Sequence, residues 1–379
     1  MKTVGIYVHL PFCRAKCHYC DFVSYAGRSE EEKNAYLLAL TKEGEIYRRR
    51  FAEVTGKSLY IGGGTPTCLT GGQLFRLFNI LHHLFQLPQG IEVTVEANPG
   101  TLNADKLTCL REVGCNRLSL GVQSFSSRDL QVLGRIHTPR EVDATYELAR
   151  QAGFTNINLD LMYGLPGQDL PGWRTTLRKA AELRPEHLSL YQLNIEKETP
   201  FGQLLQKGLF AEFDQDEAFL MYEEAINFLE NKGYRHYEIS NFALPGKEAF
   251  HNQLYWLNEE YLGLGAGAAG FLQGVRYKNT AELSGYQEQL SQGKLPIIEE
   301  ELINEELSMA ETMFLGLRRR EGVNKADFLQ KYGFSIENKY GEVLGKLITQ
   351  GLLEETSTQI VLSRKGLYIA NLVMQEFLS

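Results

Sequence analysis

In the first half of the chain, short apolar runs rich in β-forming residues alternate with longer stretches whose apolar positions recur every three or four residues. The runs are Val4–Leu10, Ser58–Ile61, Ile91–Glu96, Arg117–Gln123, Asn156–Met162 and His187–Leu193, and their length and composition predict strands. Between them, Glu30–Val54, Gly71–Phe85, Ala104–Val113, Arg140–Ala152 and Leu170–Leu183 carry helical spacing, with Gly114 and Gly153 placed as closing signals. This alternation predicts an α/β fold with a parallel sheet and right-handed crossovers. Six units are too few to close an eight-stranded barrel, so residues 1–200 are expected to form a partial (β/α)6 barrel.

In such an architecture chemistry gathers where strands end and the next loops begin. The glycine-rich and polar words of the sequence stand there: "HLPFC", "GGGTPT", "EANPG", "VQSF" and "DLMYGLPG", one after each of the first five runs. Beyond about Glu198 the rhythm changes. Asp214–Lys232 predicts a long helix and "RHYEISNFA" a strand, while "HNQLYW" to "GLGAGAAGF" reads as an irregular aromatic and glycine-rich connection. Residues 201–298 are therefore expected to extend the barrel and link it onward. Residues 299–379 predict a mainly helical module whose helix, short hairpin and closing helix suggest a winged helix.

That fold often binds DNA, but from Glu321 onward six Lys and Arg face seven Asp and Glu, so no basic footprint exists and a packing role is expected. The chain as a whole, 379 residues with a net charge of −8, is not built to bind a polyanion or an anionic membrane. The opening "MKTVGIYVHLPFC" mimics a signal peptide, yet its apolar run is broken by His9 and Pro11. No apolar stretch reaches the ~18 residues that spanning a bilayer requires. A cytoplasmic protein is expected.

Six cysteines, three of them packed into "CRAKCHYC", do not look like a disulfide framework and suggest metal. Cys13, Cys17 and Cys20 can converge on one small inorganic centre, and no fourth thiol stands nearby. Thiolates select zinc or iron–sulfur, and structural zinc usually takes four protein ligands. Three thiolates with an open corner favour a cluster that keeps one iron for another ligand. Cys68, Cys109 and Cys115 lack partner spacing and read as buried small hydrophobes.

CxxxCxxC after the first strand resembles the signature of the radical S-adenosylmethionine superfamily. The resemblance implies a 4Fe-4S cluster on the three cysteines and S-adenosylmethionine on the unique iron, whose sulfonium bond is cleaved to give a hydrogen-abstracting radical. "GGGTPT" (Gly62–Thr67) then reads as backbone brought close to the cofactor, or as a plain strand-to-helix turn. Glu96 and Arg135 supply a carboxylate and a guanidinium for the methionine moiety, Asp160 a carboxylate for ribose hydroxyls, and Gln123 a bridging amide.

The longer words "YVHLPFCRAKCHYCDF", "GGGTPT", "VEANPG", "GVQSF", "IHT" and "NLDLMYGLPGQ" resemble the oxygen-independent coproporphyrinogen III oxidase family over the whole chain. On matching positions the resemblance implies that Tyr7, Tyr19, Gly63, Gly64, Thr65, Glu96, Gln123, Arg135 and Asp160 bind the cofactor. Two departures point away from the oxidases: Phe22 stands where their pattern has a further cysteine, and the first cysteine comes as early as residue 13. The chain is more similar to the HemW subgroup, which shares "HNxxYW", present as His251, Asn252, Tyr255 and Trp256. That resemblance implies a haem chaperone that binds haem and passes it to acceptor, including respiratory, proteins, with room for peripheral contact with membrane-bound acceptors. Oxidative decarboxylation of coproporphyrinogen III is the alternative. An imidazole beside aromatic faces suits haem, though the same residues suit a hydrogen-bonded core histidine. His9 is a candidate support for the cluster.

Overall fold

The computed structural model describes residues 2–51, 54–209 and 213–378. Its frame is one twelve-stranded sheet. In chain order the strands are β1 Lys2–Leu10, β2 Val54–Gly63, β3 Glu92–Ala97, β4 Arg117–Gln123, β5 Ile157–Tyr163, β6 His187–Gln192, β7 Arg235–Glu238, β8 Asn241–Ala243, β9 Tyr261–Leu264, β10 Ala269–Leu272, β11 Val275–Asn279 and β12 Ile297–Leu302. Across the sheet they run β12-β11-β10-β9-β1-β2-β3-β4-β5-β6-β8-β7. All six expected strands lie side by side and parallel.

Helices cross between them as expected: Glu30–Phe51, Gly71–Leu84, Ala104–Glu112, Pro139–Gln151 and Leu170–Glu182. Of the first helical stretch expected, Ala52 and Glu53 lie outside the described residues, and its last residue, Val54, opens β2 instead, where it pairs with Lys2. Local chemistry sets the helix starts. Thr70 with Gln73 and Thr138 with Glu141 form capping boxes, and Pro139 occupies the first turn.

The region beyond residue 200 is more regular than its sequence suggests. "RHYEISNFA" is a hairpin, β7 and β8, rather than one strand. "HNQLYW" lies on a helix, Phe250–Trp256, and Tyr261–Leu264 joins the sheet as a further parallel strand beside β1. The expected irregular connection is thus the segment that carries the sheet past its first strand. From there β10, β11 and β12 continue it antiparallel. The C-terminal part carries helices Glu305–Gly316, Lys325–Tyr332 and Ile336–Thr349, and a small sheet with β13 Val323–Asn324, β14 Leu353–Glu355 and β15 Gln359–Leu362, the last in the middle. This is the helix, hairpin and closing-helix order expected there.

The strand period of two divides the barrel by chemistry. Leu59, Ile61, Val93, Val95, Leu118, Leu120, Leu159, Leu161 and Leu188 alternate toward the helices and join the main apolar core. The intervening residues, Ser58, Tyr60, Thr94, Glu96, Arg117, Ser119, Asn158, Asp160, His187 and Ser189, fill the barrel interior, where side chains from adjacent strands bond one another. Burying this many polar groups is stable only when each finds a partner. The exceptions below therefore carry information.

Candidate functional site

Where the parallel strands end, Cys13, Cys17 and Cys20 line one cavity of about 330 Å3 together with Tyr19, Gly63, Gly64, Thr65, Glu96, Gln123, Arg135 and Asp160. The cysteine loop is tied to its neighbours. The Gly64 and Thr65 amides donate to the carbonyls of Leu10 (2.9 Å) and Phe12 (2.7 Å), and a Cβ on Gly64 would lie 2.7 Å from the Phe12 oxygen, so only glycine allows the close approach. Gly63, at φ +107°, sits over the His9 ring. His9 bonds the Val23 carbonyl (2.8 Å) with one nitrogen and the Tyr7 hydroxyl (2.9 Å) with the other, bracing the loop from behind.

Burial pushes the Cys13 and Cys20 thiols up, so iron has to displace their protons on binding. The Cys13 sulfur lies 3.6 Å from the Thr65 hydroxyl. Among the described residues no three His, Cys, Asp or Glu converge as a single metal ion requires. A 4Fe-4S cluster takes each thiolate on a different iron and does not ask for that convergence.

Several polar groups facing this cavity want ligands. Gln123 adopts φ +65°, a strained conformation for a side-chain-bearing residue, at a shift in the β4–β5 register, and its buried Oε1 has no partner among the described residues. Glu96 accepts from the Tyr60 hydroxyl (2.7 Å) and the Gly63 amide (3.1 Å), but burial, and Asp160 nearby, push its carboxyl up to about 7. Burial also raises Asp160, which accepts from Asn158 (2.8 Å) and Ser119 (3.2 Å). An ammonium beside Glu96 would favour its ionised form. These acceptors, three free thiols and a glycine-lined wall fit an amino-acid-bearing nucleoside seated against a cluster.

Two expected positions differ in their surroundings. Arg135 is already engaged: its guanidinium donates to the Cys17 sulfur (3.5 Å), to Asn98 Oδ1 (2.5 Å) and to the Gly121 carbonyl. Tyr7 is not among the lining residues and acts behind the wall, through His9 and against the Tyr60 ring at 6.2 Å. The structure adds lining residues that sequence reading missed, among them Tyr60, Asn98, Ser119, Tyr191 and Asn194. Tyr60 and Ser119 were legible in principle, as polar residues at inward positions of strands that lead into flagged words. Cys115 is buried as expected, whereas Cys68 and Cys109 are only half-buried.

The structure does not bring "HNQLYW" to the cavity. Its helix sits at the opposite end of the barrel, where a Cβ on Gly5 would meet Leu254 and His251 and where the Glu92 carboxylate accepts from the Phe250 (3.0 Å) and His251 (2.9 Å) amides. His251 is buried, with one ring nitrogen on Ser58 Oγ (2.7 Å) and the other on the Tyr255 hydroxyl (2.8 Å). Burial, with the Arg117 charge, holds its pKa down to about 3, so it is neutral. Placed this way, His251 is a satisfied core histidine, the second of the two readings its sequence allowed, and it is not an open iron ligand in this arrangement. Asn252 is half-buried. Tyr255 and Trp256 border a second cavity, about 450 Å3, between the barrel and helix Glu305–Gly316. There Arg318 lies 4.2 Å over the Trp256 ring and the buried indole Nε1 lacks a partner among the described residues.

Comparison with known proteins agrees with this geometry. Residues 7–180 match the radical SAM superfamily model and residues 303–369 the HemN C-terminal domain. The haem chaperone HemW of Bacillus subtilis (strain 168) is 39% identical over 373 residues, covering 98% of each chain. HemW of Escherichia coli (strain K12) is 35% identical over 387 residues, covering 100% of this chain and 99% of its own. The solved coproporphyrinogen III oxidase HemN of Escherichia coli, described as a radical SAM enzyme, superposes with a TM-score of 0.87 at 25% identity over 99% of this chain and 90% of its own. The radical SAM core is one that carries a 4Fe-4S cluster and S-adenosylmethionine. With near full-length identity on both sides and a cavity that suits those groups, this chain belongs to the HemW family of radical SAM proteins.

Proposed function

We propose that this protein is a cytoplasmic haem chaperone. It binds haem and hands it to acceptor proteins, respiratory ones included, with peripheral contact where the acceptor lies in a membrane. Cys13, Cys17 and Cys20 hold the cluster; Glu96, Gln123, Asp160, Tyr19 and the Gly63–Thr65 wall seat the cofactor, and Arg135 steadies Cys17. The cluster and its cofactor, when bound, supply one-electron cleavage of a sulfonium. The chain's own residues bind, orient and screen: the glycine loop brings backbone close, and Thr65 and Arg135 donate toward sulfur. Residues 1–200 form the cofactor barrel of this proposal, 201–298 its extension bearing the haem segment, and 299–379 the module packed beside Trp256.

Haem is received at His251, Asn252, Tyr255 and Trp256, and because His251 is internal, capture requires helix Phe250–Trp256 to open. The observation that carries the reading is the identity to curated haem chaperones along the entire chain. Among the described residues no helix is long and apolar enough to cross a membrane, which leaves contact with membrane acceptors to the surface.

The alternative, an oxygen-independent coproporphyrinogen III oxidase, is favoured by the superposition on HemN. Anaerobically reconstituted protein separates the two. The chaperone reading expects stoichiometric haem binding and transfer to an apo-acceptor with no porphyrinogen turnover. Decarboxylated product in the presence of a reductant, without haem transfer, would overturn it.

A further inference from the structure

The cofactor cavity and the haem segment lie at opposite ends of the barrel, yet two lines of side chains join them through its interior. The first starts at Asp160. A carboxylate can only accept, so the Asn158 amide must turn its NH2 toward it, and Nδ2 donates to Asp160 Oδ1 (2.8 Å) and to Ser119 Oγ (2.7 Å). Asn158 Oδ1 then accepts, from Ser189 (3.1 Å) and from His187 Nδ1 (2.7 Å), which fixes the proton of His187 on that nitrogen. His187 Nε2 is left to accept from the Tyr237 hydroxyl (2.8 Å), whose oxygen accepts in turn from the Ala249 amide (3.2 Å). Ala249 is the N-cap of helix Phe250–Trp256. Every donor and acceptor in the line is determined, and it ends on the helix that carries His251.

The second line starts at Glu96. Tyr60 donates to it (2.7 Å), and the Tyr60 ring lies 5.2 Å from the His251 ring, which Ser58 on the same strand holds by its other side. Between the lines stands Arg117, buried, its Nε without a partner among the described residues, its charge acting on Glu96, Asp160, His187 and His251 alike.

We infer that these lines couple the two sites: occupancy of the cofactor cavity holds helix Phe250–Trp256 shut, and an empty cavity releases His251. The inference rests on the haem reading above. Its sign follows from the acceptor chemistry. A cationic amino group beside Glu96 keeps that carboxylate ionised, and an ionised acceptor bonds the Tyr60 hydroxyl about twice as strongly as a neutral one. Tyr60 is thereby fixed against His251. Hydroxyls binding Asp160 fix its ionised, acceptor-only state and so the proton order down to Ala249. The two-state element is the seven-residue helix, whose histidine is either bonded inside or free.

The test titrates ferric haem into anaerobically reconstituted full-length protein with and without saturating S-adenosylhomocysteine, which keeps the amino-acid and ribose groups. Haem affinity is expected to fall about fivefold or more when the cavity is filled, within the usual range of coupling, and haem should weaken nucleoside binding by the same factor. Tyr237→Phe and Tyr60→Phe should bring that ratio toward one, an effect that loss of stability alone does not produce. Equal haem affinity with and without the nucleoside overturns the coupling, as does an unchanged ratio in both variants. Should the wild type bind no haem, the haem reading fails. The coupling is then read in wild-type protein by hydrogen exchange of the 250–256 amides, which S-adenosylhomocysteine should slow; unchanged exchange overturns it.

Discussion

The two ends of the barrel are built on opposite principles. At the C-terminal end of the strands, among the described residues, the Gln123 amide oxygen has no partner, three thiols border the cavity, and two carboxyls are raised by burial without a bonded cation. At the N-terminal end both nitrogens of His251 are satisfied and the first amides of its helix are held by Glu92. Unmet hydrogen-bonding capacity is costly when buried. At the upper end it borders an open cavity lined by the three thiols, whereas at the lower end the Trp256 indole, unmet among the described residues, shares a helix with His251, whose own bonds are complete. The upper end is therefore preformed for its ligands, while the lower end has to open before His251 can meet one.

Removing the thiols tests the first half of this contrast and should produce the largest effect. Cys13→Ser, Cys17→Ser and Cys20→Ser singly are each expected to drop iron and labile sulfide from about four per chain toward zero after anaerobic reconstitution. Because the cysteine loop is held independently through His9, Gly64 and Thr65, the fold should survive, as circular dichroism would record. Retention of full iron in all three variants would contradict the site.

A buried carboxyl elsewhere sharpens the criterion. Glu43 is fully buried on helix Glu30–Phe51 and, like Glu96, is pushed up to about 7 by burial. Its oxygens are met away from the cavity, by Tyr286 (2.6 Å), the Gly265 amide (2.8 Å) and Asn279 (2.6 Å), which pin the β9–β11 extension to the barrel. A raised pKa therefore does not by itself mark a ligand site; bordering the open cavity, as Glu96 does and Glu43 does not, is what separates the two. With the folded value near 7 and the unfolded value near 4.5, the folded chain holds the extra proton between them, so the contribution of Glu43 to stability falls as pH rises through that window. Glu43→Gln should match the wild type in denaturant midpoint near pH 5 and exceed it by on the order of 2 kcal/mol near pH 8. Its cofactor affinity should be unchanged. Measuring the difference between variant and wild type cancels the opposite contribution of the buried histidines.

The same contrast explains what could be read from the sequence. The six parallel strands and the cavity words were legible because period-two runs ending in Gly and Pro are local signals. Tyr261–Leu264 was not, since a short run interrupted by glycine becomes a strand only through its pairing with β1. His251 was legible as a residue type but not as a buried one, because its partners Ser58 and Tyr60 are about two hundred residues away in the chain. Arg135 looked free for a carboxylate for the same reason: Asn98 and Gly121 reach it only in the fold.

The smallest change tests the lower end most directly. Tyr255→Phe keeps the ring, and so its edge contact with Tyr261 at 4.6 Å, and removes only the hydroxyl that meets His251 Nε2. A single buried hydrogen bond is worth about 1 kcal/mol, so the closed helix should lose about that much and the open population rise about fivefold. Since affinity scales with the fraction of competent molecules, apparent haem affinity should rise by the same factor while the spectrum of the bound iron stays unchanged. Weaker binding with an altered spectrum would mean that the phenol itself touches haem, and that the lower end is a preformed site like the upper one.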